Sequence, residues 1–189
     1  MRRFPLSLIA AYAIVGLFGV VESRLRQGEA AKTLAAGATD AGTTRLIGVC
    51  SGAALVGAPV LSRLTLGRMA VPGVVGPAVM VLGLGLRVWA ARVLGRFYTR
   101  TLRVAGDQTL VCSGPYRLVR HPGYLGVLVM WIGFGLAAAN WLAAAVVAAI
   151  MAFAYRRRIR SEEAMLLRDL GEPYRGYLRV TWRLIPGVY

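Results

Sequence analysis

Residues 114–126 bring together most of the side chains that could do chemistry in this otherwise apolar chain. They read Gly-Pro-Tyr-Arg-Leu-Val-Arg-His-Pro-Gly-Tyr-Leu-Gly and contain the only histidine of the sequence, His121. Its polar neighbours are Tyr116, Arg117, Arg120 and Tyr124. Charged and hydrogen-bonding groups at the start of an apolar segment predict a polar ligand held at a membrane surface. The local alternative is structural, because a proline at the first helical position after a capping residue is ordinary helix-start chemistry.

The chain also carries one pair of adjacent glutamates near its C-terminal end, Glu162 and Glu163. Adjacent residues lie about 100° apart around a helix, so we expect only one of the two carboxylates to face a given ligand fully. The alternative interpretation is that both carboxylates offset neighbouring arginines through local ion pairs.

Composition predicts an all-α polytopic membrane protein. Apolar residues make up 57% of the chain, charged residues only 16%, and the mean hydropathy is +0.59. A soluble domain is normally less apolar than this. The net charge of +15 raises the possibility of nucleic-acid binding. The arginines, however, lie between and after apolar segments, which favours membrane topology and predicts no nucleic-acid partner. The cysteines, Cys50 and Cys112, have no metal-binding or disulfide spacing, and no metal site is predicted.

Five membrane spans are expected, at residues 4–21, 46–61, 71–94, 122–139 and 141–155. The last two are separated by little more than Asn140, which predicts an antiparallel helical hairpin. The fifth helix is expected to continue out of the membrane to Leu170, where Gly171 and Pro173 supply a stop. The pattern divides the chain into three N-terminal spans (residues 1–94) and a loop, hairpin and helical tail (residues 95–189), forming one integrated membrane domain.

The distribution of basic residues predicts the orientation. Nineteen lie in the loop 22–45, the segment 87–120 and the tail from residue 156, against four on the other side, which places the first group on the cytoplasmic face. Arg87 and Arg92 are expected to snorkel from the inner end of the third span. Arg156, Arg157 and Arg158 are expected to contact anionic membrane lipids. Because residues 114–126 and the two glutamates flank the same hairpin, both should reach one cytoplasmic surface.

In this order the residues resemble the isoprenylcysteine carboxyl methyltransferase family. The resemblance covers about residues 95–189 and rests on Gly114-Pro115-Tyr116-Arg117, Arg120-His121-Pro122, Tyr124, Gly126, the helical hairpin, Glu162-Glu163, Gly171, Tyr174, Tyr177, Arg179 and Pro186. Phospholipid methyltransferases share much of this pattern. Sterol and steroid reductases of membranes have a similar C-terminal element that binds a nicotinamide cofactor.

The resemblance implies S-adenosylmethionine (SAM) in a pocket reached from the cytosol, with a lipophilic small-molecule acceptor entering between helices from the bilayer. We expect an integral protein of the bacterial inner membrane. Cofactor-binding roles fall on Tyr116, His121, Pro122, Tyr124, Gly126, Glu162 and Glu163. Catalytic roles fall on Arg120, Arg179 and Glu163. No particular oligomeric state or acceptor is indicated.

Acid–base chemistry favours a carboxylate as the methyl acceptor. A carboxylate is already ionised at neutral pH and needs no base. An amine acceptor would first have to lose a proton, to His121 or Glu163, because arginine stays protonated. The alternatives left open are a phospholipid N-methyltransferase, a nicotinamide-dependent membrane reductase and a non-catalytic membrane scaffold.

Overall fold

The computed structural model describes residues 6–25, 40, 42–64, 66–70, 73–95 and 110–188. The part of the loop between the third and fourth expected spans that contains Arg96, Arg100 and Arg103 lies outside these residues.

Within the described ranges the protein is helical. The helices are α1 (Leu6–Leu25), α2 (Thr43–Ser62), α3 (Val75–Leu94), a short 3₁₀ helix (Gly114–Arg117), α4 (Pro122–Ala137), α5 (Trp141–Leu170) and α6 (Glu172–Val180). The described residues form no strand, only isolated bridges that join Arg68 to Asn140 and Val119 to Trp182. The predicted all-α class is confirmed.

Three of these helices are long and apolar enough to cross a membrane, namely α1, α2 and α3, with 20 residues each. At 1.5 Å per residue they extend for about 30 Å, the thickness of a hydrocarbon core. Helix α4 is a shorter apolar helix of 16 residues. Helix α5 runs for 30 residues, from an apolar first half through the two glutamates to Leu170, as expected. The protein is an integral membrane protein, and the count of five spans stays a prediction.

Helices α3 and α4 pack through glycines. A Cβ atom at Gly76 would lie 2.5 Å from the backbone nitrogen of Ala137, and one at Gly133 would lie 2.7 Å from the carbonyl oxygen of Gly76. Gly83 and Gly126 form an equivalent contact nearer the start of α4. Small residues allow membrane helices to approach closely enough for van der Waals packing to hold them together. Gly76 and Gly83 therefore let the backbones of α3 and α4 come into direct contact.

The turn between α4 and α5 is fixed by Asn140, which is fully buried. Its Oδ1 accepts a hydrogen bond from the backbone N–H of Ala143 (3.0 Å) and so caps α5. Its Nδ2 donates to the carbonyl oxygens of Leu61 (3.2 Å) and Leu66 (2.9 Å). One side chain thus attaches the hairpin to the end of α2.

A buried ion pair joins α1 to α3. Arg87 Nε donates to Glu22 Oε1 at 2.8 Å, and its Nη2 lies 3.4 Å from Oε2. Both side chains are largely buried. The prediction that Arg87 snorkels toward the membrane surface is wrong: α1 continues past residue 21 and presents a carboxylate to the guanidinium inside the helix bundle.

Candidate functional site

The C-terminal tail holds the Arg-His-Pro turn, residues 120–122, by backbone hydrogen bonds. The N–H of Arg120 donates to the carbonyl oxygen of Trp182 (2.7 Å), and that of His121 donates to the carbonyl of Arg183 (3.2 Å). In return, the N–H of Trp182 donates to the carbonyl of Leu118 (3.0 Å). Because donor and acceptor are backbone groups in each of these bonds, the tail holds the turn independently of the side chains in either segment.

Glu163 is the centre of the site. Arg120 Nε donates to its Oε1 at 3.1 Å, and His121 Nε2 lies 3.3 Å from the same oxygen. Arg183 makes two contacts, from Nε to Oε1 (3.1 Å) and from Nη2 to Oε2 (2.6 Å). Two parallel bonds from one guanidinium fix a carboxylate in orientation as well as in position. The turn, α5 and the tail therefore meet on one buried carboxylate.

These partners decide the charge of Glu163. Burial by itself would raise the pKa of Glu163, but hydrogen bonds and charges from His121 and Arg183 outweigh burial and lower it to about 2. A carboxylate with so low a pKa is a poor proton acceptor at neutral pH. The lowered pKa, together with the bonds from Arg120, His121 and Arg183, favours an orienting role for Glu163 over that of a general base.

The low pKa also predicts a pH dependence of stability. Because the folded-state pKa lies below the ordinary value of 4.5, ionised Glu163 stabilises the fold above about pH 4.5, and this contribution is lost as pH falls toward 2. In detergent, the melting temperature should fall more between pH 5 and 3 in the wild type than in Glu163→Gln, measured by tryptophan fluorescence. Parallel falls in the two proteins would contradict the assignment.

Beside this cluster lie two buried oxygens that have no hydrogen-bond partner among the described residues. They are Glu162 Oε2 and the hydroxyl of Tyr174. Glu162 Oε2 lies 3.9 Å from His121 Nδ1, beyond hydrogen-bond distance. Burial raises the pKa of Tyr174, and the charges of Glu163 and Glu162 raise it further. Buried polar groups are normally paired, so an unpaired acceptor and an unpaired hydroxyl here fit a bound polar molecule.

The two tyrosines predicted to bind the cofactor lie near the histidine and the glutamates. The ring of Tyr124 stacks on that of His121, with centroids 5.7 Å apart and planes at 19°. The backbone carbonyl of Tyr116 accepts a hydrogen bond from the hydroxyl of Tyr177 (2.6 Å). Burial raises the pKa of Tyr116, and the charge of Glu162 raises it further.

Pro122 and Gly126 occupy structural positions. Pro122 is buried and is the first residue of α4, after His121 at the N-cap. A Cβ atom at Gly126 would lie 2.6 Å from the carbonyl oxygen of Gly83 and 2.7 Å from the nitrogen of Arg87. The side of Gly126 that a side chain would occupy therefore faces α3, and its predicted contact with a cofactor stays a prediction.

The two predicted catalytic arginines differ in their surroundings. Arg120 is largely enclosed: besides binding Glu163, its Nη1 donates to the carbonyl oxygens of Leu178 (3.1 Å) and Thr181. Arg179 is exposed. Both border an open groove of about 500 Å³ lined by Arg120, Leu178, Arg179, Val180, Thr181, Trp182 and Arg183. Arg179 is thus accessible to a ligand that binds in the groove, whereas the guanidinium of Arg120 is bonded to other groups of the protein.

Two arginines of this region were not predicted as site residues. Arg183 reaches Glu163 only because the tail returns to the Arg-His-Pro turn, which no local pattern indicates. Arg158 was predicted to contact lipid, and this is wrong: it is 4% exposed and bonded to Asp40 and Tyr124, whereas Arg156 and Arg157 are exposed. The helical spacing of Arg158 with the apolar residues Met151, Ala154 and Tyr155 could have indicated its burial.

Comparisons with known proteins agree with this architecture. The sequence model of the isoprenylcysteine carboxyl methyltransferase (ICMT) family matches residues 76–168. A probable protein-S-isoprenylcysteine O-methyltransferase of Oryza sativa subsp. indica is 30% identical over 105 residues, covering 54% of this chain and 55% of that protein. The cobalt-zinc-cadmium resistance protein CzcN of Cupriavidus metallidurans is 35% identical over 109 residues, covering 57% and 50%. The chain thus spans about half the length of these relatives.

The fold is also similar to a solved structure. The eukaryotic intramembrane Ras methyltransferase ICMT superposes with a TM-score of 0.64 at 20% identity, covering 95% of this chain and 68% of that one. At this identity the likeness concerns the fold alone.

Among the residues described here, no group of three or more His, Cys, Asp or Glu side chains could hold a metal ion.

Proposed function

We propose that the chain is a member of the isoprenylcysteine carboxyl methyltransferase family, whose sequence model matches residues 76–168, and that it transfers a methyl group from SAM to a carboxylate of a lipophilic small acceptor. The family accounts for the reaction class, and its members act at membranes. The proposal for this chain concerns the donor, the acceptor and the residues that hold them.

The observation that carries the proposal is the polar cluster at the start of α4. His121 lies between two carboxylates, with Nε2 3.3 Å from Glu163 and Nδ1 3.9 Å from Glu162. Both oxygens of Glu163 are bonded within the protein, by Arg120, His121 and Arg183, while Glu162 keeps an unpaired buried oxygen. One carboxylate of the pair therefore organises the site, and the other is available to a ligand.

These residues suit SAM, which carries an ammonium group, a carboxylate, ribose hydroxyls and a sulfonium. The unpaired oxygen of Glu162 would accept a hydrogen bond from an ammonium or ribose hydroxyl, and the Tyr174 hydroxyl would make a second contact. When bound, SAM supplies an electrophilic methyl group on its sulfonium. The protein's contribution is to hold donor and acceptor in line, because positioning provides much of the acceleration in such a transfer.

Arginines support a carboxylate as the acceptor. The groove beside the cluster is bordered by Arg179, which is exposed, and by Arg183, whose side chain is 30% exposed. A guanidinium can bind and orient an acceptor carboxylate, which needs no deprotonation at neutral pH. The low pKa of Glu163 agrees with this, since Glu163 would be a weak base for an amine acceptor. We further propose that the protein lies in a bacterial inner membrane with this site on the cytoplasmic side. The distribution of arginine and lysine supports that orientation.

Ligand-dependent melting tests the donor. SAM should raise the melting temperature of the purified protein in detergent, because a ligand that binds only the folded state stabilises it by mass action. Reduced nicotinamide cofactor should have no effect. Stabilisation by the nicotinamide cofactor and none by SAM would replace the proposal with a reductase.

Transfer of a radiolabelled methyl group tests the acceptor. A prenylated cysteine with a free carboxylate should be labelled, and its carboxamide should not. Phosphatidylethanolamine is the matched amine acceptor. Labelling of that lipid in preference to the free carboxylate would show the protein to be an N-methyltransferase.

A further inference from the structure

A second buried polar network connects the segment before α2 to the site. Arg158, on α5, binds Asp40 through Nη1, which also contacts the hydroxyls of Thr43 (2.9 Å) and Thr44 (3.1 Å). Its Nε donates to the hydroxyl of Tyr124 on α4 at 3.2 Å. Asp40 is 1% exposed and Arg158 is 4% exposed. We call Asp40, Arg158 and Tyr124 the buried relay.

Stability alone is a weak reason for such a network. Removing two charges from water costs free energy that their attraction does not always restore, and apolar replacements of buried ion pairs are often neutral or stabilising. Arg158 also extends beyond its acidic partner to the hydroxyl of a tyrosine. One guanidinium thus bridges three parts of the chain: the residues that begin α2, the middle of α5 and the first turn of α4.

Tyr124 transmits this contact to the histidine. Its ring stacks on His121 at 5.7 Å and packs against Tyr155 at 5.3 Å, with the guanidinium of Arg87 5.9 Å from its centroid. The face of Tyr124 therefore limits the rotation of the His121 ring. That rotation decides whether Nε2 meets Glu163 and Nδ1 meets Glu162.

We propose that Arg158 is a positioning residue for the site: anchored by Asp40, it holds Tyr124 so that the stacked His121 ring stays aligned between the two glutamates. The consequence for SAM affinity rests on the proposed function. The consequence for the His121 ring does not.

The single histidine of the chain allows a direct test. In untagged full-length protein labelled with ¹³C at histidine, His121 gives the one ring resonance. Tyr124→Phe removes only the hydroxyl, Arg158→Met removes the guanidinium, and Arg156→Met is the matched exposed control on the same helix. The two relay variants should both shift the His121 resonance, and the control should leave it in place.

SAM affinity gives a second readout, measured well below the melting temperature of each variant. Arg158→Met and Tyr124→Phe should each weaken binding by at least about tenfold, the lower end of the range for a lost hydrogen bond to a charged group. The double variant should be no weaker than the weaker single variant, because both break one interaction. Arg158→Lys keeps the charge beside Asp40, but a lysine ammonium lacks the planar guanidinium that contacts Asp40 and Tyr124 together. Its SAM affinity should therefore be close to that of Arg158→Met.

The outcomes separate the two proposals. Unchanged His121 resonance in Arg158→Met, or the same shift in Arg156→Met, overturns the buried relay. If Arg158→Met shifts the His121 resonance but binds SAM with wild-type affinity, Arg158 does not position the site for binding. If the wild type binds no SAM, the proposed function fails, and the resonance still decides whether the buried relay aligns His121.

Discussion

Replacing Glu163 by glutamine should lower the melting temperature by on the order of 10 °C and reduce the proposed methyl transfer by at least about a hundredfold. In the wild type, Arg120 and Arg183 share the buried carboxylate of Glu163. In the variant, both guanidinium groups lie beside a neutral amide. Removing one partner of a buried ion pair costs about 3–5 kcal/mol, because the remaining charge loses its compensation. Activity should fall further, since small displacements of positioned groups have effects of about 100-fold.

Glu172→Gln is the matched control for this prediction. Glu172 pairs with Arg175 at 2.6 Å, but the two side chains are 73% and 60% exposed. Exposed pairs contribute about 0–1 kcal/mol, so the control should melt close to the wild type and retain its activity. Both variants are measured by tryptophan fluorescence at one heating rate and by transfer of labelled methyl groups. Equal melting temperatures for the two variants would show that Glu163 is not the organising charge.

The architecture of the second half follows from local features of the sequence. Hydropathy and segment length predict α4 and α5, and Asn140 between them predicts a tight turn. Gly171 ends α5 where expected, with a positive φ of 62° that glycine adopts without strain. The Arg-His-Pro turn precedes the hairpin and the two glutamates follow it. Because the two helices of the hairpin are antiparallel, the sequence predicts that the turn and the glutamates lie on the same side. The 3.3 Å contact between His121 and Glu163 follows from this arrangement.

The partners of the arginines could not be predicted in the same way. Glu22 and Arg87 are 65 residues apart, and Asp40 and Arg158 are 118 apart. An arginine at the end of an apolar helix can extend to lipid headgroups or turn inward to a carboxylate, and hydropathy is the same in both cases. Helical spacing can indicate that an arginine such as Arg158 faces inward, but its acidic partner depends on how the helices are rotated and which neighbours they have. For the same reason the sequence does not indicate Arg183, although Arg183 makes two of the contacts to Glu163.

The structure also separates the predicted site residues by surroundings. Arg120 bonds the tail through Nη1, so its removal would disturb the fold as well as any ligand. Arg179 is exposed on the groove, where a substitution changes charge without opening the interior. The catalytic roles of both arginines stay predictions, and Arg179 offers the cleaner test of contact with an acceptor.

Gly83→Ala should destabilise the protein strongly, whereas Gly85→Ala, two residues further along α3, should not. A Cβ atom at Gly83 would lie 2.5 Å from both the carbonyl oxygen of Gly126 and the nitrogen of Met130, and backbone atoms of a packed helix cannot move aside as a side chain can. At Gly85 nothing lies within 4 Å. Overpacking of this kind costs about 1–3 kcal/mol or more.

The effect of Gly83→Ala should extend to the site, because α4 begins at Pro122, directly after His121. Separating α3 from α4 moves the start of α4 relative to α5, which carries Glu163. We therefore expect Gly83→Ala to melt roughly 5 °C below the wild type and to bind SAM more weakly at temperatures where it is still folded. Gly126→Ala should behave alike, since its Cβ would lie 2.6 Å from the carbonyl of Gly83. If Gly83→Ala and Gly85→Ala melt together, the glycine contact does not position α4, and the close approach of these helices carries no weight in the architecture of the site.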